Sequence, residues 1–339
     1  MTGQVVVVTG ASAGVGRATA RAYAARGARL GLVARGAAGL AGAERDCLER
    51  GAESVLCFDV DVADPGASGE VADRVQRELG QLDVWVNNAM VSVFAPAWDI
   101  SPEEYRRVSE VNYLGTVYGT LAALRHMRPA GRGTIVQVGS ALAYRGIPLQ
   151  APYCASKHAI QGFVDSLRAE LLAEYPEIRI TMVQLPAVNT PQFSWVRTRL
   201  RQHPQPVPPI FQPEVAARAI LWAADHGPRE LNVGGPTVLT RVLDVVAPSL
   251  VERYLARYGK KSQQTGEPID PKQWHDNLEE PQDEVVDRGA HGDFDGKATD
   301  RSPQLWMATH KGMVTAAAGT VAALAGSAIA TMRRSRRGG

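Results

Sequence analysis

The chain has 339 residues, enough for one large core with or without an appendage. Its formal charge of +2 gives no whole-chain field that would argue for nucleic acid. Cys47, Cys57 and Cys154 form no CxxC and no metal-ligand spacing, which suits reduced thiols in a cytoplasmic compartment. His126, His158, His203 and His226 are scattered, so no metal site is expected. The N-terminus runs directly into an apolar strand without a basic segment, so no secretory signal is read.

Residues 5–8 are four valines followed by a glycine-rich turn, the pattern of a buried strand. Residues 30–34, 55–58, 82–86, 134–138 and 178–185 read in the same way. Helical patterns over 18–26, 69–79 and 101–128 lie between them. Ser101-Pro102-Glu103-Glu104 is a capping box with proline at the first helical position, so a helix starts there. This alternation predicts an α/β fold, a doubly wound parallel sheet with helices on both faces.

Thr9-Gly10-Ala11-Ser12-Ala13-Gly14-Val15-Gly16 joins the first strand to the first helix. Glycines at such a turn let the backbone come close to a pyrophosphate, and the helix N-terminus offers it unpaired N–H groups. The same residues match the GxSxG elbow of hydrolases, which leaves a serine hydrolase using Ser12 as an alternative. Only nine residues precede Gly10 and no HGGG-type segment is present, so Ser12 reads better as a phosphate-facing hydroxyl. At the end of the second strand Ala34 stands where an acid would bind a ribose 2′-hydroxyl, and Arg35 follows. Arg17 lies just after the last glycine. Two guanidinium groups at this edge favour NADP(H) over NAD(H).

Tyr153 and Lys157 are four residues apart at the start of a helix whose apolar face carries Ile160, Val164, Leu167 and Leu171. A free tyrosine has a pKa near 10, and a neighbouring ammonium is expected to lower it toward useful acid/base chemistry.

At this point the sequence resembles the classical short-chain dehydrogenase/reductase family. The motifs carrying the resemblance are the turn Thr9 to Gly16, Asp61-Val62, Asn87-Asn88-Ala89, Asn112, Ser140, Tyr153 with Lys157, and Pro186 through Thr190. They span residues 4–235. The resemblance implies a single Rossmann-type domain of about seven strands. It implies an oxidoreductase moving a hydride between NADP(H) and an alcohol or carbonyl compound. Tyr153 would exchange the proton, Lys157 would tune it and hold the nicotinamide ribose, Ser140 would bind the substrate oxygen, and Asn112 would place a relay water. Cofactor contacts would come from Gly10, Ser12, Gly14, Val15, Gly16, Arg17 and Arg35, then Asp61 and Val62 at the adenine, Asn88 and Ala89, and Pro186, Val188 and Thr190 at the nicotinamide. Met90 and Ala187 replace glycines of the family pattern. They are the only support for a non-catalytic cofactor-binding scaffold or sensor.

The loop over 191–213 carries Phe193, Trp195, Ile210 and Phe211 with Arg197, Arg199 and Arg201. Its apolar residues suggest a lipophilic substrate. Its arginines are candidates for an anionic substrate group or for membrane headgroups. Residues 1–235 are expected to form the catalytic domain and 236–260 a helical extension. Residues 261–312 read as a polar acidic linker, since 261–311 holds 11 acidic and 6 basic side chains. Trp274, Phe294, Leu305 and Trp306 are the residues through which parts of it would dock. Residues 313–332 carry no charge over the length of a membrane span, with Arg333, Arg334, Arg336 and Arg337 in the tail 333–339. A span, a helix lying on anionic lipid and an alanine-rich soluble helix are the alternatives. Small-residue spacing there is compatible with a homo-oligomer.

Overall fold

The computed structural model describes residues 3–313. Apart from Met313, the candidate membrane helix 313–332 and the basic tail lie outside the described residues. Among the described residues no helix is long and apolar enough to cross a membrane.

Strand β1 (Val5–Thr9) is buried along its whole length, as a valine run should be in a sheet covered on both faces. The glycine turn leads into α1 (Gly14–Ala24). The alternation continues through β2 (Arg29–Ala34), α2 (Ala37–Glu49), β3 (Ser54–Asp59), α3 (Ala67–Glu78) and β4 (Val84–Asn87). After the short β5 (Val93–Phe94), α4 (Pro102–Ser109) opens at the predicted capping box. Ser101 Oγ accepts from the Glu104 N–H at 3.3 Å, and the Glu104 carboxylate accepts from the Ser101 N–H at 2.9 Å. The helix expected over 101–128 is interrupted. A π-helical turn, Glu110–Leu114, separates α4 from α5 (Gly115–Ala130), and it carries Asn112.

The chain then forms β6 (Gly133–Ser140), the long α6 (Ala151–Glu174) and β7 (Ile178–Leu185). The following loop holds α7 (Gln192–Trp195), β8 (Arg197–Thr198), β9 (Gln202–Pro204) and β10 (Ile210–Phe211). Next come α8 (Pro213–His226), β11 (Glu230–Asn232), α9 (Gly235–Val246) and α10 (Pro248–Tyr258). Seven strands make one parallel sheet in the order β11-β7-β6-β4-β1-β2-β3. Strand order reverses between β1 and β4. An open sheet leaves a crevice at that switch point, beyond the C-terminal ends of its strands. Apolar layers cover both faces, with Leu30, Leu32, Val86 and Ile220 on one and Val7, Val75, Trp85 and Ile135 on the other.

Residues 261–312, expected to be a linker, instead pack along the catalytic domain. Strand β12 (Gln264–Pro268) pairs antiparallel with β9, and β13 (Ala298–Thr299) pairs parallel with β10. Helix α11 (Pro303–Thr309) follows, capped by Ser302. Leu278, Ala290, Phe294 and Leu305 are buried, and the Trp274 indole donates to Val196 O at 2.9 Å. Burying a large apolar side chain contributes about 1.5–3 kcal/mol. A few such anchors, spaced along a polar segment, offset an ordering cost that the average composition does not.

Candidate active site

Gly10 adopts φ +65° at the turn, and a Cβ on Gly16 would lie 2.0 Å from Gly10 O. The glycine at 16 therefore serves the close approach of α1 to the turn rather than contact with a ligand. Asn88 holds the turn from the end of β4: its Nδ2 donates to Thr9 O at 3.0 Å and Gly10 O at 3.2 Å. The Asn88 and Ala89 N–H groups donate to Thr9 Oγ1 at 2.9 and 3.1 Å. A Cβ on Gly14 would sit 3.1 Å from the Thr190 methyl, so the 186–190 segment closes against this turn.

A cavity of about 810 Å3 runs along the switch point. Gly10, Ser12, Gly14 and Val15 line it, as do Arg35, Asp61 and Val62 at the β2 and β3 ends. It continues past Asn88, Ala89 and Met90 to Ser140, Tyr153 and Lys157, with Pro186, Val188 and Thr190 also lining it. A cradle shaped by glycines, joined to a long crevice, fits a nicotinamide dinucleotide.

Strand β6 delivers Ser140 and α6 delivers Tyr153 and Lys157. The Ser140 hydroxyl acts on the Tyr153 phenol, and Ser140 Oγ accepts from the Leu142 N–H at 3.1 Å. Lys157 Nζ donates to Val138 O at 2.8 Å and stands 5.6 Å from the centre of the Tyr153 ring. Burial pushes Tyr153 up to about 12, with the Ser140 hydrogen bond opposing. Burial also pulls Lys157 down to about 8. The expected lowering of the tyrosine by its lysine is not seen: burial dominates, only the Ser140 hydroxyl opposes it, and Tyr153 near neutrality is a proton donor.

Three predicted site residues stand outside the cavity wall. Gly16 is a packing glycine, as above. Arg17 is 1% exposed and fully engaged. Its Nε donates to Asp46 at 2.8 Å, its Nη2 to Asp287 at 3.0 Å, and its Nη1 to Ser12 O and Gly39 O at 2.9 Å each. It is a structural cation, so the phosphate-binding role expected of it is withdrawn. Asn112 spends its amide on Val91, accepting from the N–H at 2.8 Å and donating to the carbonyl at 3.0 Å, and on Ser156 Oγ at 3.1 Å. It joins the loop after β4 to α6. Arg35 does line the cavity, but its guanidinium donates to Asn277 O and Glu279 O at 2.6 Å each.

Asp61 accepts from the Ala63 N–H at 2.9 Å and from Arg107. Burial alone would raise its carboxyl, and these partners hold it below the usual range. In the loop over 191–213, Arg197 pairs with Asp276 at 3.0 Å and Arg199 with Glu104 at 2.9 Å, so neither is a free anion ligand. Cys154 is buried, and burial pushes its thiol up to about 11, consistent with an inert side chain.

Sequence patterning missed two parts of the wall. Leu239, Leu243, Leu250 and Tyr254 of α9 and α10 line it while remaining exposed, and Asn277, Pro281, Gln282 and Asp283 reach it from the C-terminal segment. The helical pattern of 236–260 could have pointed to the first, since Leu239, Leu243, Leu250 and Tyr254 are its apolar residues. Nothing local signalled the second.

A family model described as short chain dehydrogenase matches residues 4–200. The chain belongs to the short-chain dehydrogenase/reductase family. The chain is 32% identical over 272 residues to the uncharacterized oxidoreductase YxnA of Bacillus subtilis, covering 80% of this chain and 76% of that protein. That likeness is longer than the family match and takes in more than the segment 4–200. Human dehydrogenase/reductase SDR family member 7 is 40% identical over 186 residues, covering 54% of this chain and 55% of that one. The chain thus spans little more than half the length of the human relative. Among solved structures, the alcohol dehydrogenase of the archaeon Thermococcus sibiricus complexed with 5-hydroxy-NADP superposes with a TM-score of 0.59 at 28% identity, over 68% of this chain and 95% of that one. A short-chain dehydrogenase of Streptomyces avermitilis gives a TM-score of 0.63 at 26% identity, over 77% and 97%.

Proposed function

We propose that this protein moves a hydride between a nicotinamide dinucleotide and a lipophilic alcohol or carbonyl compound, with Tyr153 as general acid and base. The observation that carries the reading is the meeting of Ser140, Tyr153 and Lys157 on the wall of a crevice that begins at the glycine turn. The chemistry a bound nicotinamide supplies is hydride transfer. In reduction, the Ser140 hydroxyl orients the substrate oxygen and Tyr153 donates its proton to that oxygen. In oxidation, Tyr153 takes the proton from the alcohol. Lys157 anchors the nicotinamide ribose and lends charge to Tyr153 when protonated. Asn112 positions α6 through Ser156.

A lipophilic substrate is supported by Phe193, Trp195, Leu243 and Tyr254 on the cavity wall. NADP(H) is supported by Arg35, the remaining cation of the two at the ribose edge. Attachment of a cytoplasmic catalytic domain to a membrane through 313–332, supported by that uncharged stretch, belongs to the same proposal. The hydrolase alternative loses support because no histidine lines the cavity among the described residues. Met90 and Ala187 both line it and displace none of the three catalytic side chains.

The test is nicotinamide absorbance with carbonyl substrates of increasing hydrocarbon size. Turnover should rise with apolar size, and Tyr153→Phe should lose about 10²–10⁴-fold in kcat while still binding cofactor. A Phe variant with wild-type kcat would refute the role of Tyr153.

A further inference from the structure

The end of β2 lacks the acid that would take a ribose 2′-hydroxyl, because Ala34 stands there. The structure brings a carboxylate to the same place from the far end of the chain. Asp283 is 5% exposed and lines the cavity together with Ser12, Ala34 and Arg35. Its Oδ1 lies 1.9 Å from where a Cβ on Gly36 would stand, and its Oδ2 lies 2.3 Å from the same point on Gly39. The carboxylate therefore rests against the first turn of α2. Oδ2 is buried without a hydrogen-bond partner among the described residues. Oδ2 is closed off against α2, whereas Oδ1 also makes no hydrogen bond among the described residues and keeps accessible surface, so it is the oxygen a ligand hydroxyl can reach.

The groups a 2′-phosphate would need at this edge are already committed. The Gly39 N–H donates to Asp283 O at 2.9 Å and the Ala38 N–H to Glu284 O at 3.2 Å. The Ala37 N–H donates to the Glu284 carboxylate at 3.1 Å. Arg35 is bonded to two carbonyls of the same segment, and Asp61, Asp283 and Glu279 all act on its charge. A 2′-phosphate placed here would face Arg35 and Asp283 together, while a 2′-hydroxyl would meet an acceptor that lacks a donor.

We propose that Asp283 is a specificity-determining residue of the cofactor site: its carboxylate accepts a hydrogen bond from the adenosine ribose 2′-hydroxyl and opposes a 2′-phosphate, so that the site admits NAD(H) against the pull of Arg35. The proposal rests on the oxidoreductase reading and revises the cofactor preference within it.

The test is titration of the full chain with NADH and with NADPH, followed by nicotinamide fluorescence, for wild type, Asp283→Asn and Asp283→Ser. Asn keeps the shape of the side chain, and Ser fits the space beside Gly36 and Gly39, so either folded variant decides the matter. NADPH should tighten and NADH weaken, moving the ratio of their Kd values by at least about tenfold toward NADPH. A ratio unchanged within about twofold, or moved toward NADH, overturns the role of Asp283. Wild-type protein that binds neither dinucleotide would instead sink the oxidoreductase reading, an outcome distinct from an unmoved ratio.

Discussion

The side-chain amide of Gln150 donates to the Gln263 side-chain carbonyl oxygen at 2.7 Å, tying the residue before α6 to the C-terminal segment. Gln263 is fully buried and donates in turn to Pro148 O at 2.9 Å and Gly259 O at 2.7 Å. Between the two anchored residues, Leu149 holds φ +73°, a conformation bulky side chains rarely adopt. These bonds brace the strained turn from which α6 carries Tyr153 and Lys157. Gln263→Leu is expected to cost about 1–3 kcal/mol of stability by orphaning the Gln150 amide, and to lower kcat more than cofactor affinity. Thermal melts and steady-state kinetics check both. Wild-type kcat in a folded variant would mean that α6 needs no such brace.

Lys157 provides a pH-dependent signature. Its folded value of about 8 lies below the ordinary 10.5 of an unfolded chain. Between those values the unfolded state holds more protons, so stability from this group rises with pH across that window and its cost is fully present below about pH 8. Lys157→Met removes the dependence. The free-energy difference between wild type and variant should move in favour of wild type by about 3 kcal/mol from pH 8 to 10.5. Denaturant titrations at the two ends of the window measure it, and a constant difference would mean that the amine is solvated.

Arg17 makes a third prediction, about stability rather than chemistry. Asp287→Ala leaves a buried guanidinium with one carboxylate instead of two. The expected loss is about 1.5–3 kcal/mol, held to that range because Asp287 is itself partly exposed. Arg17→Met combined with Asp287→Leu should recover part of it, since an apolar pair needs no desolvation compensation. Melting temperatures of wild type and the two variants decide the matter, and an Asp287→Ala protein as stable as wild type would remove the pair from the account.

The elements that position the site were legible wherever local pattern and tertiary burial agree. The valine run of β1 is apolar because both faces of that strand are covered, and the capping box of α4 is a local hydrogen-bond motif that needs no distant partner. Tyr153 and Lys157 were found because helical spacing places them on one face. Arg17 was misread for the opposite reason: a sequence displays the charge but not Asp46 and Asp287, which satisfy it. The segment 261–312 read as a linker because its average polarity dominates; Phe294 and Leu305 marked where it docks, whereas Leu278 sits among polar neighbours and gave no such signal. The π-turn at Asn112 left no periodic trace, because one extra residue per turn lies within the scatter of apolar spacing.

The Gly14 N–H, in the first turn the chain makes, donates to Gly289 O at 3.2 Å. Synthesis proceeds from the N-terminus at about 5–20 residues per second, so this partner leaves the ribosome roughly a quarter of a minute to a minute after the turn itself. During that interval the nascent chain can assemble its sheet and bring Ser140, Tyr153 and Lys157 together, yet Arg17 lacks Asp287 and the cavity lacks the wall that Asn277 and Asp283 supply. On the proposed function, dinucleotide capture would be a late, post-translational event, and a chain shortened to residues 1–235 would resemble an arrested translation intermediate more than a minimal version of the whole.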